Sequence, residues 1–338
     1  MPDDDFTWVD AERLIRFGPD ALGEAPALLA ERGFEGFALL TTERAAGDAP
    51  GLAGAAAAVL HVPDGPVPEA AAAVREGVGG RPVVALGGGR TIDAAKGIAG
   101  ADGLACAAVP TTLSGAPMTR LHRMPAGVGE WRLTRPSVVV AEPGLMASQQ
   151  PEPRAASAMN ALAHAAEALY GPRANPVAEM AALRAAELLA RGLEASSEER
   201  ARPPLALGSI LAGYAVGAAG FALHHLLGQT LVRVTGAPHA RAYAALLPHT
   251  LEAMLVRAPR EIAKLGDALG MGRGNAAGVP ARVAELAALS GTTGLSQLGV
   301  EEASLAEVVA EALRRPDLAN TPDPPGEDEL RDVLRAAL

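Results

Sequence analysis

The chain has 338 residues, 49% of them apolar, a length that exceeds one simple core and predicts two domains. A net charge of −10 without a clustered basic stripe excludes nucleic acid as an expected partner. The single cysteine, Cys106, excludes an internal disulfide and a thiolate metal cluster. An acidic start, and no apolar run of about 20 residues, exclude a membrane span and predict a soluble cytoplasmic protein.

Residues 1–148 alternate between short apolar runs and amphipathic segments. This alternation predicts a parallel sheet covered by helices. The predicted strands are 37–40, 82–86, 106–109 and 137–141, and the predicted helices are 22–32, 68–76 and 91–99. Residues 55–62 fit either a strand or a helix, because alanine dominates them.

Residues 149–338 show long helical periodicities and no convincing strand, which predicts an all-helical second domain. The predicted helices are 155–170, 176–194, 205–232, 242–258, 260–269, 279–289, 304–312 and 327–337. Pro203-Pro204 and the prolines between 322 and 325 are predicted to interrupt this domain. The predicted fold class is therefore an α/β domain followed by an all-α domain.

A run of three glycines, Gly87 to Gly89, joins a predicted buried strand to a predicted helix. Glycines let the backbone approach a ligand closely, and the helix start points free N–H groups at it. The loop therefore predicts a pyrophosphate site, although it is neither the usual dinucleotide fingerprint nor a Walker loop. In the alternative interpretation, Thr91 or Asp93 only caps the helix.

Two further features lie near this loop in the sequence. Thr111 and Thr112 follow the next predicted strand, at the end where ligands bind in open α/β sheets. Lys96, in the helix after the glycines, is one of two lysines in a chain that otherwise uses arginine. This usage suggests that the Lys96 side chain has a specific role.

Five of the seven histidines lie between positions 164 and 249. Asn160 and His164 are four residues apart on one predicted helix and share a face, which Glu167 nearly shares as well. His224-His225, His239 and His249 follow on other predicted elements. Imidazoles serve as metal ligands and as general acids near neutral pH, so three histidines from separate helices are predicted to converge on one site. In the alternative interpretation, each histidine is a packing residue of its helix.

These motifs, in this order, resemble the iron-containing alcohol dehydrogenase family, whose fold is that of dehydroquinate synthase. The glycine loop with Asp93 and Lys96, and Pro110-Thr111-Thr112, match two family motifs. The family's metal set is an aspartate and three histidines, and the matching positions here are Asn160, His164, His225 and His239. Asparagine in place of the aspartate, together with the His224-His225 doublet, is similar to the maleylacetate reductase branch.

The resemblance implies an oxidoreductase that uses NADH or NADPH to reduce the C=C bond of an unsaturated dicarboxylic acid from aromatic breakdown. It places the catalytic site at Asn160, His164, His225 and His239, with His225 or His239 as the acid. It places the cofactor against Gly87, Gly88, Gly89, Arg90, Asp93, Lys96, Thr111, Thr112, Thr41, Thr42 and Leu145. Arg120, His122 and Arg123 are predicted to attract substrate carboxylates.

The metal prediction depends on Asn160. An amide with three imidazoles leaves a divalent cation without an anionic ligand, so we expect no tightly bound iron. Zinc on His164, His225 and His239 stays physically possible. Arg90 replaces the family's serine, and it either grips a pyrophosphate or obstructs it.

Other functions stay open at this level. A metal-dependent alcohol or aldehyde dehydrogenase is one alternative, and a family member that performs a non-redox elimination or cyclisation is another. A catalytically inactive binding protein is a third. Gln229, where the family commonly has histidine, and Gly115-Ala116-Pro117 depart from the family pattern and leave the substrate open. The expected partner is an anionic small molecule, and the family expectation for assembly is a homodimer.

Overall fold

A seven-stranded sheet organises the first of two units in the computed structural model, which describes residues 5–338 apart from the Trp8 side chain. This unit is Met1–Ser148, and the second is Gln149–Leu338. The strands are β1 (Phe6–Asp10), β2 (Arg13–Phe17), β3 (Ala38–Thr41), β4 (Ala58–His61), β5 (Val83–Gly87), β6 (Cys106–Pro110) and β7 (Val138–Ala141). Their order across the sheet is β1-β2-β7-β6-β5-β3-β4.

Helices cover both faces of this sheet. They are α1 (Ala21–Glu31), α2 (Glu43–Asp48), α3 (Pro50–Ala55), α4 (Val67–Val78), α5 (Gly89–Asp102) and α6 (Pro143–Met146). Alternate residues of β5 enter two separate cores: Val84 and Leu86 join one, whereas Val83 and Ala85 join the other. Burial on both faces explains why the central strands are continuously apolar.

The predicted α/β class is confirmed, with one correction at the sheet edge. β1 pairs with β2 in antiparallel register, from Phe6 opposite Phe17 to Asp10 opposite Arg13, whereas the sequence predicted only parallel strands. The hairpin turns at Ala11, whose φ is 53°. The apolar periodicity of these strands is hidden in the sequence because a charged residue, Arg13, is buried. Its guanidinium donates to the carbonyl oxygens of Pro136 and Pro117.

The ambiguous segment 55–62 contains both elements that its composition allows. α3 ends at Ala55, and β4 begins at Ala58 and pairs in parallel with β3. The pairing partner, rather than the alanine-rich sequence, decides where the strand begins.

Helices form the whole second unit, as predicted. They are α7 (Pro151–Tyr170), α8 (Pro176–Leu193), α9 (Glu198–Ala219), α10 (Leu223–Thr235), α11 (His239–Met254), α12 (Pro259–Ala268), α13 (Val279–Ala288), α14 (Glu302–Leu313) and α15 (Glu327–Ala336). Leu295–Leu298 and Pro316–Asn320 are short 3₁₀ turns.

The predicted single helix 205–232 is wrong, because the chain breaks after Ala219 and turns by 101° into α10. Gly220 makes the turn with a φ of 89°, a region that side-chain-bearing residues rarely adopt. This break puts His224 and His225 in the first turn of α10 instead of the middle of a long helix. The histidines therefore lie beside backbone N–H groups that have no partner within the helix.

The predicted interruption at Pro203-Pro204 is also wrong, because both prolines lie inside α9. Each removes one backbone hydrogen bond, and the carbonyls that lose it belong to Glu199 and Arg200. These two residues are exposed, so water can satisfy the carbonyls, and Ser197 caps the helix start. Among the described residues no single helix is long and apolar enough to cross a membrane; only the bent pair α9–α10 passes that test together.

Candidate active site

The glycine loop lies between β5 and α5, as the sequence predicts. α5 begins at Gly89, and its N-cap residue, Gly88, offers no side chain to the first N–H groups of the helix. Thr91 and Asp93, the alternative caps, lie inside the helix. Three orphan backbone donors at the positive end of the helix dipole fit the oxygens of a pyrophosphate.

The glycines are required here by close approach. A Cβ added to Gly87 would lie 2.7 Å from Thr91 Cβ, and one on Gly88 would lie 3.1 Å from Thr112 Cγ2. A Cβ on Gly89 would lie 3.0 Å from Ser114 Oγ. Side chains at these positions would fill the cradle, so the loop fits a dinucleotide's phosphates.

The sheet topology puts a ligand site at the same edge. The chain leaves β3 toward β4 and leaves β5 toward β6, in opposite directions, so the order reverses between β3 and β5. Ligands of open α/β sheets bind at such a switch point, beyond the carboxyl ends of the strands. Thr41 ends β3, Gly87 ends β5, and Thr111 follows β6. Three of the predicted cofactor residues, Thr41, Gly87 and Thr111, thus lie at the same edge of the sheet.

Four predicted cofactor residues have local structural contacts. The Thr42 hydroxyl accepts from Ala45 N and caps α2, and the Thr41 side chain is fully buried. Leu145 is 7% exposed and packs in the core on one face of the sheet. Arg90 turns to Asp64, with Nη2 2.6 Å from Oδ1. The Arg90 guanidinium is therefore paired with the Asp64 carboxylate beside the glycine loop. It must leave this carboxylate before it can contact a nucleotide.

Lys96 is completely buried on α5, one turn after Asp93. Its Nζ donates to the Asp93 carboxylate at 2.8 Å and to the carbonyl oxygens of Ala116 and Leu121 at 3.0 and 2.6 Å. This ammonium holds segment 116–121 against the helix. It supports the loop from inside instead of presenting a free N–H to a ligand.

Replacing Lys96 with methionine is expected to lower the free energy of unfolding by about 2–3 kcal/mol, because the partly buried Asp93 carboxylate and the carbonyl oxygens of Ala116 and Leu121 lose their donor. Urea denaturation monitored by circular dichroism measures the loss. Lys264→Met is the matched control: Lys264 pairs with Glu179 on the surface, where removal costs at most about 1 kcal/mol. Equal losses in the two variants would contradict the structural role of Lys96.

His122 does not present a free ring to a substrate carboxylate. Its Nε2 accepts from Thr134 N at 3.0 Å, its Nδ1 lies 3.2 Å from Arg123 O, and its ring stacks on Trp131. Burial lowers the pKa of His122. The ring is therefore a neutral connection inside loop 120–134, whereas Arg120 and Arg123 are exposed.

In the second unit, α7, α10 and α11 bring the predicted histidines together. The rings of His164 and His225 stack with centroids 4.6 Å apart, and Phe221 stacks on His225 at 4.3 Å. Tyr243 contacts His225 at 5.2 Å and His239 at 4.2 Å. His164 and His225 are nearly buried, whereas His239 begins α11 and is exposed in this unit.

Four polar atoms of this cluster are buried without a hydrogen-bond partner: Asn160 Oδ1, His164 Nδ1, His224 Nε2 and His225 Nε2. Buried polar groups are nearly always paired, so such orphans indicate a place for a ligand. The other ring nitrogen of His225, Nδ1, lies 2.5 Å from Glu167 Oε2. Nδ1 of His225 is thus hydrogen-bonded to Glu167, whereas Nε2 has no partner and can contact a ligand.

Glu167, Phe221 and Tyr243 were not predicted as functional residues. Glu167 has no exposed area and also accepts the backbone N–H of His225 at 3.1 Å. Its spacing of three residues from His164 was the available signal. Tyr243 follows His239 by four residues, or one helical turn, and this spacing could also have been recognised in the sequence. Phe221 could not, because it lies in the unpredicted break between α9 and α10.

Burial controls the electrostatics of the cluster. It holds the pKa values of His164 and His225 well below their usual range, and nearby imidazoles lower them further. It lowers the pKa of His224 to about 3. It raises the pKa of Glu167 to about 7, although His224 and backbone N–H groups oppose this rise. Burial therefore favours a His225–Glu167 pair without net charge.

The metal that the family name implies does not fit this donor set. The rings of His164 and His225 are within 18° of parallel, so their in-plane lone pairs do not converge on one ion at the required distance of about 2 Å. Asn160 contributes a neutral amide. Within residues 5–338, no group of three His, Cys, Asp or Glu side chains is arranged to hold a metal ion.

Comparisons with known proteins identify the family of this chain. Residues 154–338 match the model of the Fe-containing alcohol dehydrogenase family, C-terminal. A maleylacetate reductase of Sphingobium indicum is 31% identical, covering 99% of this chain and 91% of the relative. Maleylacetate reductase 1 of Rhodococcus opacus is 36% identical, covering 75% and 72%. The crystal structure of maleylacetate reductase from Agrobacterium tumefaciens has a TM-score of 0.85 and 30% identity, covering 99% and 98%.

The chain belongs to the iron-containing alcohol dehydrogenase family. It is an oxidoreductase with the fold of that family, and it resembles the maleylacetate reductases over nearly its whole length.

Proposed function

We propose that the protein is an NAD(P)H-dependent reductase of the maleylacetate reductase type, which saturates the C=C bond of an unsaturated dicarboxylic acid. The observation that carries this proposal is the buried His225 ring, whose Nε2 has no partner while Glu167 holds Nδ1. An imidazole held in this way is suited to proton donation. The relatives named maleylacetate reductase supply the substrate.

In this proposal the two units have separate roles. The first, residues 1–148, binds the nucleotide: the N–H groups at the start of α5 hold the pyrophosphate, and Gly87, Gly88 and Gly89 leave room for it. The bound nicotinamide supplies a hydride. The second unit, residues 149–338, supplies the acid and the substrate contacts. Asn160 Oδ1 and His164 Nδ1 are two further polar atoms of this cluster without a hydrogen-bond partner, and we assign them to the substrate.

We propose further that the reaction needs no metal. Reduction of a carbonyl group depends on a cation that polarises the C=O bond. Reduction of a conjugated C=C bond depends on a cation less, because its electron-withdrawing substituent already polarises it. The neutral donor set and the stacked rings of His164 and His225 also support a reaction without a metal. The proposal includes an anionic substrate, a homodimer and a cytoplasmic location.

The test is a fluorescence titration with NADH and NADPH, with and without a chelator, followed by turnover of maleylacetate. We expect micromolar binding of at least one nucleotide and turnover that the chelator does not change. Turnover abolished by chelation and restored by iron or zinc would replace this proposal with a metal-dependent dehydrogenase. Failure to bind either nucleotide would indicate a non-redox function.

A glycine variant tests the position of the nucleotide. Gly88→Val is expected to raise the Kd for the nucleotide at least about tenfold, since its side chain enters the cradle beside Thr112. Gly47→Val in α2 is the matched control, because nothing lies within 4 Å of its Cβ position. Unchanged affinity in a folded Gly88→Val protein would place the nucleotide elsewhere.

A further inference from the structure

Glu167 is a fully buried carboxylate with two separate contacts to one residue. Oε2 lies 2.5 Å from His225 Nδ1, and Oε1 accepts the backbone N–H of His225 at 3.1 Å. A buried carboxylate is costly unless its oxygens are satisfied. Both oxygens are satisfied here by His225, so Glu167 is tied to this histidine more closely than to any other side chain in the described part of the molecule.

The same contacts complete the start of α10. The N-cap residue is Ala222, which has no side-chain oxygen, so α10 has no cap from its own sequence. Glu167 reaches across from α7 and accepts from the third residue of the helix, as a capping side chain does. The positive end of the helix dipole also favours a negative charge at this place.

These contacts fix the His225 ring. Nδ1 is engaged by Glu167, the faces pack against His164 and Phe221, and the edge meets Tyr243. The imidazole ring therefore cannot flip by 180° without losing the hydrogen bond between Nδ1 and the Glu167 carboxylate. Nε2 is left as the one ring nitrogen without a protein partner.

We propose that Glu167 is the positioning residue of the reductase: it fixes the orientation of His225 and keeps a proton available behind it. This inference rests on the proposed function. When a hydride adds to one carbon of the C=C bond, the π electrons move to the other carbon. That carbon takes the Nε2 proton of His225. The proton in the Oε2–Nδ1 hydrogen bond then passes to Nδ1, and the negative charge stays on Glu167 at the start of α10.

Glu167→Gln tests this relay while keeping the shape of the side chain. We expect kcat for maleylacetate to fall by roughly 100-fold, with KM and the nucleotide Kd within about twofold, because ground-state binding does not use the relay. The solvent deuterium isotope effect on kcat should rise, since proton transfer becomes the slow step. Glu167→Asp retains a carboxyl group that can give up the proton and should recover part of the rate.

Thr250→Val is the matched control for loss of a buried hydrogen bond in the cluster. Thr250 Oγ1 lies 3.0 Å from Nδ1 of the neighbouring His224, and both side chains are buried. This variant is expected to lose stability without a rise in the solvent isotope effect. Thermal melts of all three variants verify folding. If Glu167→Gln does not fold, Glu167→Asp with its own isotope effect carries the test.

A proton NMR experiment on histidine-labelled protein is independent of turnover. The 2.5 Å hydrogen bond should give a far-downfield resonance that Glu167→Gln removes and Thr250→Val retains. Absence of turnover in the wild type, with this resonance present, would refute the proposed function but not the hydrogen bond. An active wild type whose Glu167→Gln variant keeps its kcat and isotope effect would overturn the inference.

Discussion

Replacing His225 with asparagine is expected to lower kcat for maleylacetate by about 10²- to 10⁴-fold, the usual contribution of a general acid. Asparagine preserves a hydrogen bond to Glu167 but has no group at the position of Nε2 that can release a proton. The nucleotide Kd should not change, since the predicted phosphate contacts belong to residues 87–91 in the first unit. Steady-state kinetics and fluorescence titration measure the two effects.

His239→Asn decides between the two acids that the sequence left open. His239 contacts Tyr243 and is exposed in its unit, whereas His225 is buried with Nε2 unpartnered. We therefore expect a smaller loss in His239→Asn than in His225→Asn. The opposite order, in two variants with wild-type melting temperatures, would assign proton donation to His239.

The second large effect is a loss of stability in mild acid. Unfolded histidines take up protons below a pH of about 6.5, whereas burial holds the pKa values of His164, His224 and His225 lower in the folded state. Their stabilising contribution is complete above pH 6.5 and is lost as the pH falls. Glu167 acts in the opposite direction, since its folded pKa of about 7 exceeds the unfolded value.

Within the histidine cluster, three imidazoles therefore favour unfolding in acid and Glu167 opposes it, which leaves about two protons taken up on unfolding between pH 6.5 and 4.5. His122 and His249, whose pKa values burial also lowers, add to this uptake. The free energy of unfolding should fall by at least about 2.7 kcal/mol per pH unit there, and by at least about 3–4 kcal/mol from pH 7 to pH 5. Urea midpoints across this range measure the slope.

A single substitution tests the origin of this acid slope. His164→Gln removes one of the three titrating imidazoles and should reduce the slope by about 1.4 kcal/mol per pH unit. A slope near zero in the wild type, or one that His164→Gln leaves unchanged, would mean that these imidazoles are charged in the folded protein.

The sequence by itself determined most of the elements and the local motifs, but not the β1–β2 hairpin or the break between α9 and α10. Continuous apolar strands identified the buried sheet, and the 3.6-residue period identified the helical unit. The glycine loop could be predicted because three adjacent glycines before a helix allow the backbone to approach neighbouring groups closely, which is a local property of the sequence. Asn160 and His164 could be placed on one helix face because residues four positions apart in a helix lie close together.

Only the tertiary structure decided which groups are paired and which are open. Lys96 looked available for a ligand, but segment 116–121 surrounds it. Glu167 looked like a third residue on a helix face, but the break at Gly220 brings the uncapped start of α10 to it. Such contacts join residues that are 20 to 58 positions apart, and no local periodicity records them. Hydrogen-bond partners and burial, which set proton affinity, therefore become known only once the helices are packed.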